Sequence, residues 1–433
     1  MKKVTVALLL AAFSVSAFAQ SGTNSPYSQY GLGALSDQTS GFNRGMNGLG
    51  YGLRENNQVN FLNPASYSAL DSLTFIFDAG ISGQITNFEE KGIKKNAKNA
   101  DFEYIVAGLR LARHMGLSFG LVPFTNVGYN YSNQTIINVD GDNLKTTSIN
   151  SFSGSGGLHQ LYLGVGWQPF SGLSVGVNAA YLWGNISKSV NNTFSDPAIN
   201  TLSKYYNDSI KSYKVDFGIQ YAAHLSKKDQ LIVGATYGLG HRLNDSPHCR
   251  IVSNNPQTNV TNTQTYQIDN GLEIPTSIGV GLAWYHNDKW KIGADYQLQQ
   301  WSKTQYPVYS IVNNIPQYKL TDRMFSDRNK VTLGGEYFNN ERSRNFFKTL
   351  RYRAGVSYAT PYLKINGQDG PKEYSVSAGF GIPIMNAFNN RSILNISAQW
   401  VRMDSQTFIK ENTFRINIGL TFNEHWFAKW KVE

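Results

Sequence analysis

The sequence predicts an all-β protein: a 14-stranded antiparallel transmembrane β-barrel whose leading segment sits in the lumen as a hatch or plug. Three observations carry this. Apolar and polar residues alternate with period two in stretch after stretch, as in Leu73, Phe75, Phe77, Ala79, Ile81 against Thr74, Asp78, Gly80, Ser82, so each stretch has one apolar and one polar face. Almost no helical segments stand between these stretches to cover the apolar faces, which therefore meet lipid. The connections alternate between tight turns and long polar stretches, the arrangement of a barrel with two unlike rims.

The chain opens with Lys2 and Lys3, an apolar run over 4–15, and Ala17-Phe18-Ala19. This order reads as a secretory signal peptide over 1–19, cut after Ala19. The run is shorter than the roughly 20 apolar residues a spanning helix needs. The expected organisation is then a hatch over 20–70 and a barrel over 71–433. Gly 40, Tyr 25, Phe 24 and Trp 8, with a mean hydropathy of −0.34, are too polar for a helical membrane protein and suit strands with only alternate residues facing lipid. The formal charge of +10 is scattered over turns and loops, which suits anionic lipid headgroups; no basic stripe points to nucleic acid. Cys249 is the single cysteine, so there is no disulfide framework. His241, His248 and Cys249 lack a second pair at ligand spacing and read as loop residues, so no metal or other cofactor is expected. His159, His224 and His286 form no local motif with Ser or Asp, and an enzyme is not expected.

Between 20 and 70 turn formers dominate, with Gly31, Gly33, Gly45, Gly48, Gly50 and Gly52. Tyr27, Tyr30, Phe42, Met46, Leu49, Tyr51, Phe61 and Leu62 make the segment too apolar for a disordered tail, so it is read as compact. Fourteen alternating segments follow, at 72–86, 102–113, 115–131, 158–167, 173–187, 211–225, 230–243, 274–286, 289–300, 330–338, 350–363, 373–384, 392–403 and 413–426. Tight turns at 113–115, 168–172, 226–229 and 287–288 mark a periplasmic rim, and polar stretches at 132–157, 188–210 and 244–273 mark outer loops. The connection at 339–349 is long for a periplasmic turn, and that at 366–370 is short for an outer loop. Trp167, Trp284, Trp290 and Trp426 fall at one set of segment ends, and Trp183, Trp301 and Trp400 at the other, as two aromatic girdles would. In the last segment Phe414, Ile416, Ile418, Leu420 and Phe422 face one way; an even strand count lets it pair with the first and leave no open edge.

The non-lipid register points Asp78, Arg110, Asp216, Asp295, Glu336, Arg351, Arg353 and Arg415 into the lumen. There they brace the wall as a charge network or, Arg351 and Arg353 above all, hold a ligand carboxylate. Many other inward positions are glycine, including Gly164, Gly166, Gly176, Gly279 and Gly355. Such glycines mark the close approach of another backbone, for which the leading segment is the candidate. Pro123 stands mid-strand, where it cannot donate to the ladder. A local bend follows, and a lateral opening toward lipid is the sharper expectation.

With these features in view, the chain resembles the FadL family of outer-membrane transporters for long-chain fatty acids and other hydrophobic compounds. The resemblance covers the mature chain and rests on Asn63-Pro64-Ala65, on 274–284 with 290–296 and Trp301-Ser302, and on 331–337 with 352–358. It implies a Gram-negative outer-membrane location and a hydrophobic small molecule captured near the hatch, which leaves sideways past Pro123. The alternative it implies is a structural or accessory subunit of a secretion or assembly complex, partnered by other outer-membrane or periplasmic proteins.

Overall fold

Each predicted alternation becomes a strand because it can bury one face against lipid and the other against the hatch, while most of its backbone groups find a neighbour in the ladder. The computed structural model describes residues 22–138, 145–340, 343–384 and 392–424; the expected signal peptide over 1–19 and Trp426 lie outside them. Fourteen strands form the wall. They are β1 (Phe75–Glu90), β2 (Ile93–Ala112), β3 (Met115–Asn138), β4 (Lys145–Phe170), β5 (Leu173–Phe194), β6 (Thr201–His224) and β7 (Asp229–Gly238), followed by β8 (Ser277–His286), β9 (Trp290–Gln299), β10 (Arg328–Phe338), β11 (Arg351–Ala359), β12 (Lys372–Ile384), β13 (Ser392–Asp404) and β14 (Lys410–Glu424). Consecutive strands pair antiparallel, and β1 pairs with β14 from Phe75↔Glu424 to Glu89↔Lys410, closing the cylinder.

The outward register is apolar throughout, with Ile81, Leu161, Phe217, Leu282, Leu333, Val376 and Ile418 exposed, whereas inward Asp78, Ser118 and Thr421 are fully buried. The turn Asn287-Asp288 has φ of 54° at both residues, the conformation whose twist suits a two-residue hairpin. Trp167, Trp284, Trp290 and Trp400 are exposed on the outside, as girdle residues should be. Trp301 is a correction: it is 1% exposed and packs against Phe325 and Tyr362 at ring separations of 5.5 and 5.2 Å, so it belongs to an internal core rather than to the lipid boundary.

The expected outer loops are also corrected. Much of 132–157 and 188–210 continues as strand, so that β3 to β6 run 24, 26, 22 and 24 residues. A bilayer needs only about 9–11 residues per strand. The excess rises above the membrane, where the outer face meets water and the inner face, with Thr146, Ser148 and Lys188 buried, is largely polar. Alternation is then lost from the sequence while the ladder continues. The 244–273 stretch adds a hairpin, His248–Asn254 with Thr261–Gln267, that pairs with the upper part of β6.

Two substitutions on adjacent residues of β14 should separate the faces. Ile418→Arg, outward and near mid-membrane, is expected to destabilise the barrel by about 2–4 kcal/mol, whereas Asn417→Ser, inward and 3% exposed, should cost at least about twofold less. Equilibrium unfolding in urea with refolded protein in lipid reads the difference.

Candidate functional site

Asn63-Pro64-Ala65 opens a 3₁₀ helix, Pro64–Ala69, with Asn63 as its cap: the Asn63 Oδ1 accepts from the Ala65 N–H at 3.1 Å. Proline suits the first helical position because the missing N–H would be unpaired there anyway. The other end of the Asn63 amide donates to the carbonyls of Tyr51, 2.9 Å away in the hatch, and Ile219, 3.2 Å away in β6. Ala65 is completely buried. This helix lies against wall glycines so closely that no side chain fits between. A Cβ on Gly176 would stand 2.4 Å from the Pro64 carbonyl carbon, and one on Gly234 1.9 Å from the Tyr51 oxygen. The carboxylate of Asp295, on β9, reaches into the hatch and accepts the N–H groups of Gly50 at 2.6 Å and Tyr51 at 3.0 Å. Asp295 was legible as inward-facing, but its role as an acceptor for hatch backbone had no sequence signal.

The structure splits the predicted charge network into groups with separate jobs. Arg351 and Arg353 both bind Glu336, at 3.1 and 2.6 Å, with Lys291 at 2.9 Å from the same carboxylate and 2.8 Å from Glu55 of the hatch. Arg353 also donates to Asn395 at 2.5 Å. The two guanidiniums are thus committed to an internal carboxylate. Arg415 donates to Gln84 at 2.9 Å and pairs with Asp37 of the hatch at 3.0 Å. Arg110 is not in the network: it sits at the rim of tight turns beside a register shift and donates to the Ala112 carbonyl at 3.2 Å. Sequence reasoning missed Arg44, a hatch residue 3% exposed, which pairs with Glu103 of β2 at 2.8 Å.

Pro123 lies at a real irregularity. The register of β3 against β4 shifts between Pro123 and Thr125. On its other side β3 pairs with β2 only from Ala112↔Met115 up to Ile105↔Leu121. Above that level the two strands part. The hatch fills the split: a two-residue strand, Ala34–Leu35, pairs with Asn126 and Thr125, the Ser36 N–H donates to the Phe124 carbonyl at 3.1 Å, and Gln38 donates to the Pro123 carbonyl at 2.7 Å.

Beside the hatch a cavity of about 170 Å³ is lined by Asp37, Asp295, Arg328, Lys330, Glu373 and Tyr362, among others. Burial alone would raise the Asp37 carboxyl, but Lys330, Arg415 and Arg44 outweigh it and hold the group down at about 2. Toward the outer mouth the bore is occupied by packed apolar side chains, among them Tyr27, Leu32, Leu182, Ile210, Trp301 and Phe325. Among the described residues no group of His, Cys, Asp and Glu is arranged to hold a metal. His241 stacks on Tyr213 at 4.1 Å and Cys249 is buried.

A family model described as BamG matches residues 1–433. The chain belongs to the BamG family. No curated protein matches this BamG chain by sequence. Solved structures do match. The toluene transporter TbuX of Ralstonia pickettii is 13% identical with a TM-score of 0.60, covering 89% of this chain and 98% of its own. The toluene transporter TodX of Pseudomonas putida is 15% identical with a TM-score of 0.59, covering 91% and 100%. A FadL homologue of Pseudomonas aeruginosa is 11% identical with a TM-score of 0.58, covering 90% and 98%. At these identities the likeness is one of fold. The FadL resemblance therefore holds for the barrel architecture, while the family is BamG.

Two expectations follow. Gly176→Val should force the hatch helix from the wall and destabilise the protein by about 1–3 kcal/mol. Gly83→Ala, with nothing within 4 Å of its added Cβ, should change stability by less than about 0.5 kcal/mol; limited proteolysis of hatch peptides and urea unfolding measure both. The Asp37 pair sets an acid dependence. Its folded value lies below the ordinary 3.8, so the stabilisation is fully present above that pH and is lost as pH falls toward about 2. Pepsin accessibility of the hatch should rise through that window in the wild type, and the rise should be smaller in Asp37→Asn.

Proposed function

We propose that this BamG chain serves as a non-conducting, structural or accessory subunit of an outer-membrane secretion or assembly complex in a Gram-negative bacterium. The observation that carries this is the filling of the bore by side chains at successive heights. The glycine-backed helix closes the level of Pro64, the Glu336 cluster braces the wall beside Met46, and the apolar group around Trp301 and Phe325 occupies the outer mouth. The cavity between them, about 170 Å³, sets Asp37, Arg328, Lys330 and Glu373 among apolar groups such as Leu62, Leu363 and Met403, so an alkyl chain, whose capture relies on apolar burial worth about 0.8 kcal/mol per methylene, would have to desolvate charged side chains there. The partner is another outer-membrane or periplasmic protein.

A second reading, passive uptake of hydrophobic compounds such as long-chain fatty acids, is favoured by the parting of β2 and β3 above Ile105 and Leu121. The path would run from a site beside Asn63, Pro64 and Ala65 to the split at Pro123. Solved neighbours that share this fold are named as toluene transporters. The hatch segment from Ala34 to Gln38 would then separate the bore from lipid at this level.

Blue-native electrophoresis of membranes extracted in mild detergent separates the two. The accessory reading expects the 48.3 kDa chain to migrate in a larger assembly, and uptake of radiolabelled oleate or toluene by a deletion strain to equal that of wild type. Migration as a lone barrel, with uptake lowered severalfold in the deletion strain, would replace it by the transport reading.

A further inference from the structure

Outside the bore, the outer ends of β11, β12 and β13, with Lys410 of β14 beside them, carry a feature that the internal architecture does not use. Lipid-facing Val356, Tyr374, Val376 and Trp400 border a groove of about 450 Å³ that opens outward, and Arg402 and Asp404 form its upper end. Arg402 Nη2 is 3.0 Å from Asp404 Oδ1, and Lys410 Nζ is 4.0 Å from the same oxygen. Lys372, exposed, stands opposite Asp404 in the β12–β13 register. Two cations therefore lie within 4.0 Å of one carboxylate, and a third occupies the position across the ladder from it. The side chains of Arg402, Asp404 and Lys410 are 42%, 39% and 44% exposed, so the excess positive charge is presented to the surroundings.

Height gives the cluster its meaning. Trp400 and Tyr374 belong to the aromatic boundary of the bilayer, and the cations lie just beyond them, at the level of the outer-leaflet headgroups. Below the rings, the lipid-facing register continues through Val376 to Ala378 and Ala398, which are paired across β12 and β13, and leaves a shallow track down the wall. An occupant must join an anionic head to an apolar tail on one molecule. Guanidinium and ammonium groups suit phosphate, and the valines and rings suit an acyl chain.

We propose that this groove binds a phosphorylated glycolipid of the outer leaflet, with a phosphate held by Arg402, Lys410 and Lys372 and one acyl chain lying along Val376 and Trp400. Asp404 orients Arg402, and Glu89, opposite Lys410 in the β1–β14 register, is drawn to Lys94 at 3.9 Å, so Arg402, Lys410 and Lys372 against Asp404 leave a net positive site. On the opposite wall Lys211 sits at a strand position paired with Trp183 and provides a matched exposed cation outside the cluster.

Full-length protein purified in non-ionic detergent and mixed with bisphosphorylated lipid A, read by native mass spectrometry, tests the proposal. Wild type should retain about one lipid A per barrel. Arg402→Glu with Lys410→Glu should weaken retention at least tenfold, since each surface cation contributes about fivefold, and Arg402→Gln with Lys410→Gln keeps the test available where charge reversal impairs folding. Val376→Trp, which fills the groove without changing charge, should also lower retention, while Lys211→Glu should leave it unchanged. Equal retention by wild type and all groove variants, or equal loss in Lys211→Glu, would overturn the site. Displacement of lipid A by an equal concentration of phosphatidylglycerol would overturn the assignment to a glycolipid.

Discussion

The contact on which the rest of this structure depends is backbone against backbone: the hatch presses on the inner wall where the wall has no side chains. Gly166 and Gly176 meet the Pro64 peptide, Gly234 meets Tyr51, and Gly355 meets Met46. Glycine weakens a strand elsewhere because it adds flexibility and contributes nothing to packing. Here those costs are offset by the hatch, which supplies the missing packing from inside. The wall in turn supplies polar partners to a segment that has little regular secondary structure. Asp295 accepts two hatch N–H groups, and Gln220 donates to the carbonyls of Tyr51 and Leu53 at 3.0 Å each. Neither half satisfies its backbone and buried polar groups without the other.

Charge inside the bore follows the same logic. A guanidinium held 1% exposed is expensive unless it is paired, and Arg353 meets that demand through Glu336 and Asn395. The Glu336 group spans β9, β10 and β11 and reaches Glu55 through Lys291, so it fixes hatch to wall at one height. The pairs Arg44 with Glu103 and Arg415 with Asp37 do so at another. These bridges cross between elements far apart in the chain, where they specify one seating of the hatch among many that apolar packing alone would tolerate.

Much of this was legible in the sequence. All fourteen wall strands show in the alternation, because a lipid-facing register leaves an unambiguous apolar stripe. The inward glycines foretold a close backbone neighbour, and Pro123 foretold the irregularity in β3. What escaped notice lacked a patterned face. The upward extensions of β3 to β6 have no lipid-facing side and a largely polar inner one, so Asn150, Ser151 and Asn191 read as loop although they are paired strand residues. Trp301 ends an alternating stretch just as a girdle tryptophan does, and only the 3₁₀ turn at Trp301–Lys303 carries it inward. Arg110 kept the inward parity of β2 until the register shift at its tight-turn end. The partners of Arg351 and Arg353 depend on which strands become neighbours, which periodicity along one strand does not encode.

The pairing of β1 with β14 carries a consequence for the amino-terminal segment. Ala34–Leu35 is stitched to β3, Asn63 to β6, Gly50 and Tyr51 to β9, and Asn47 to β11 and β12 through Ser357 and Ser375. These attachments fall on strands all round the ring, so the segment can reach its partners together only when the wall is in its closed order. The ladder that joins the first strand to the last thus completes the seat of the amino-terminal segment as well as the wall, and leaving that seat would break contacts on several strands at once.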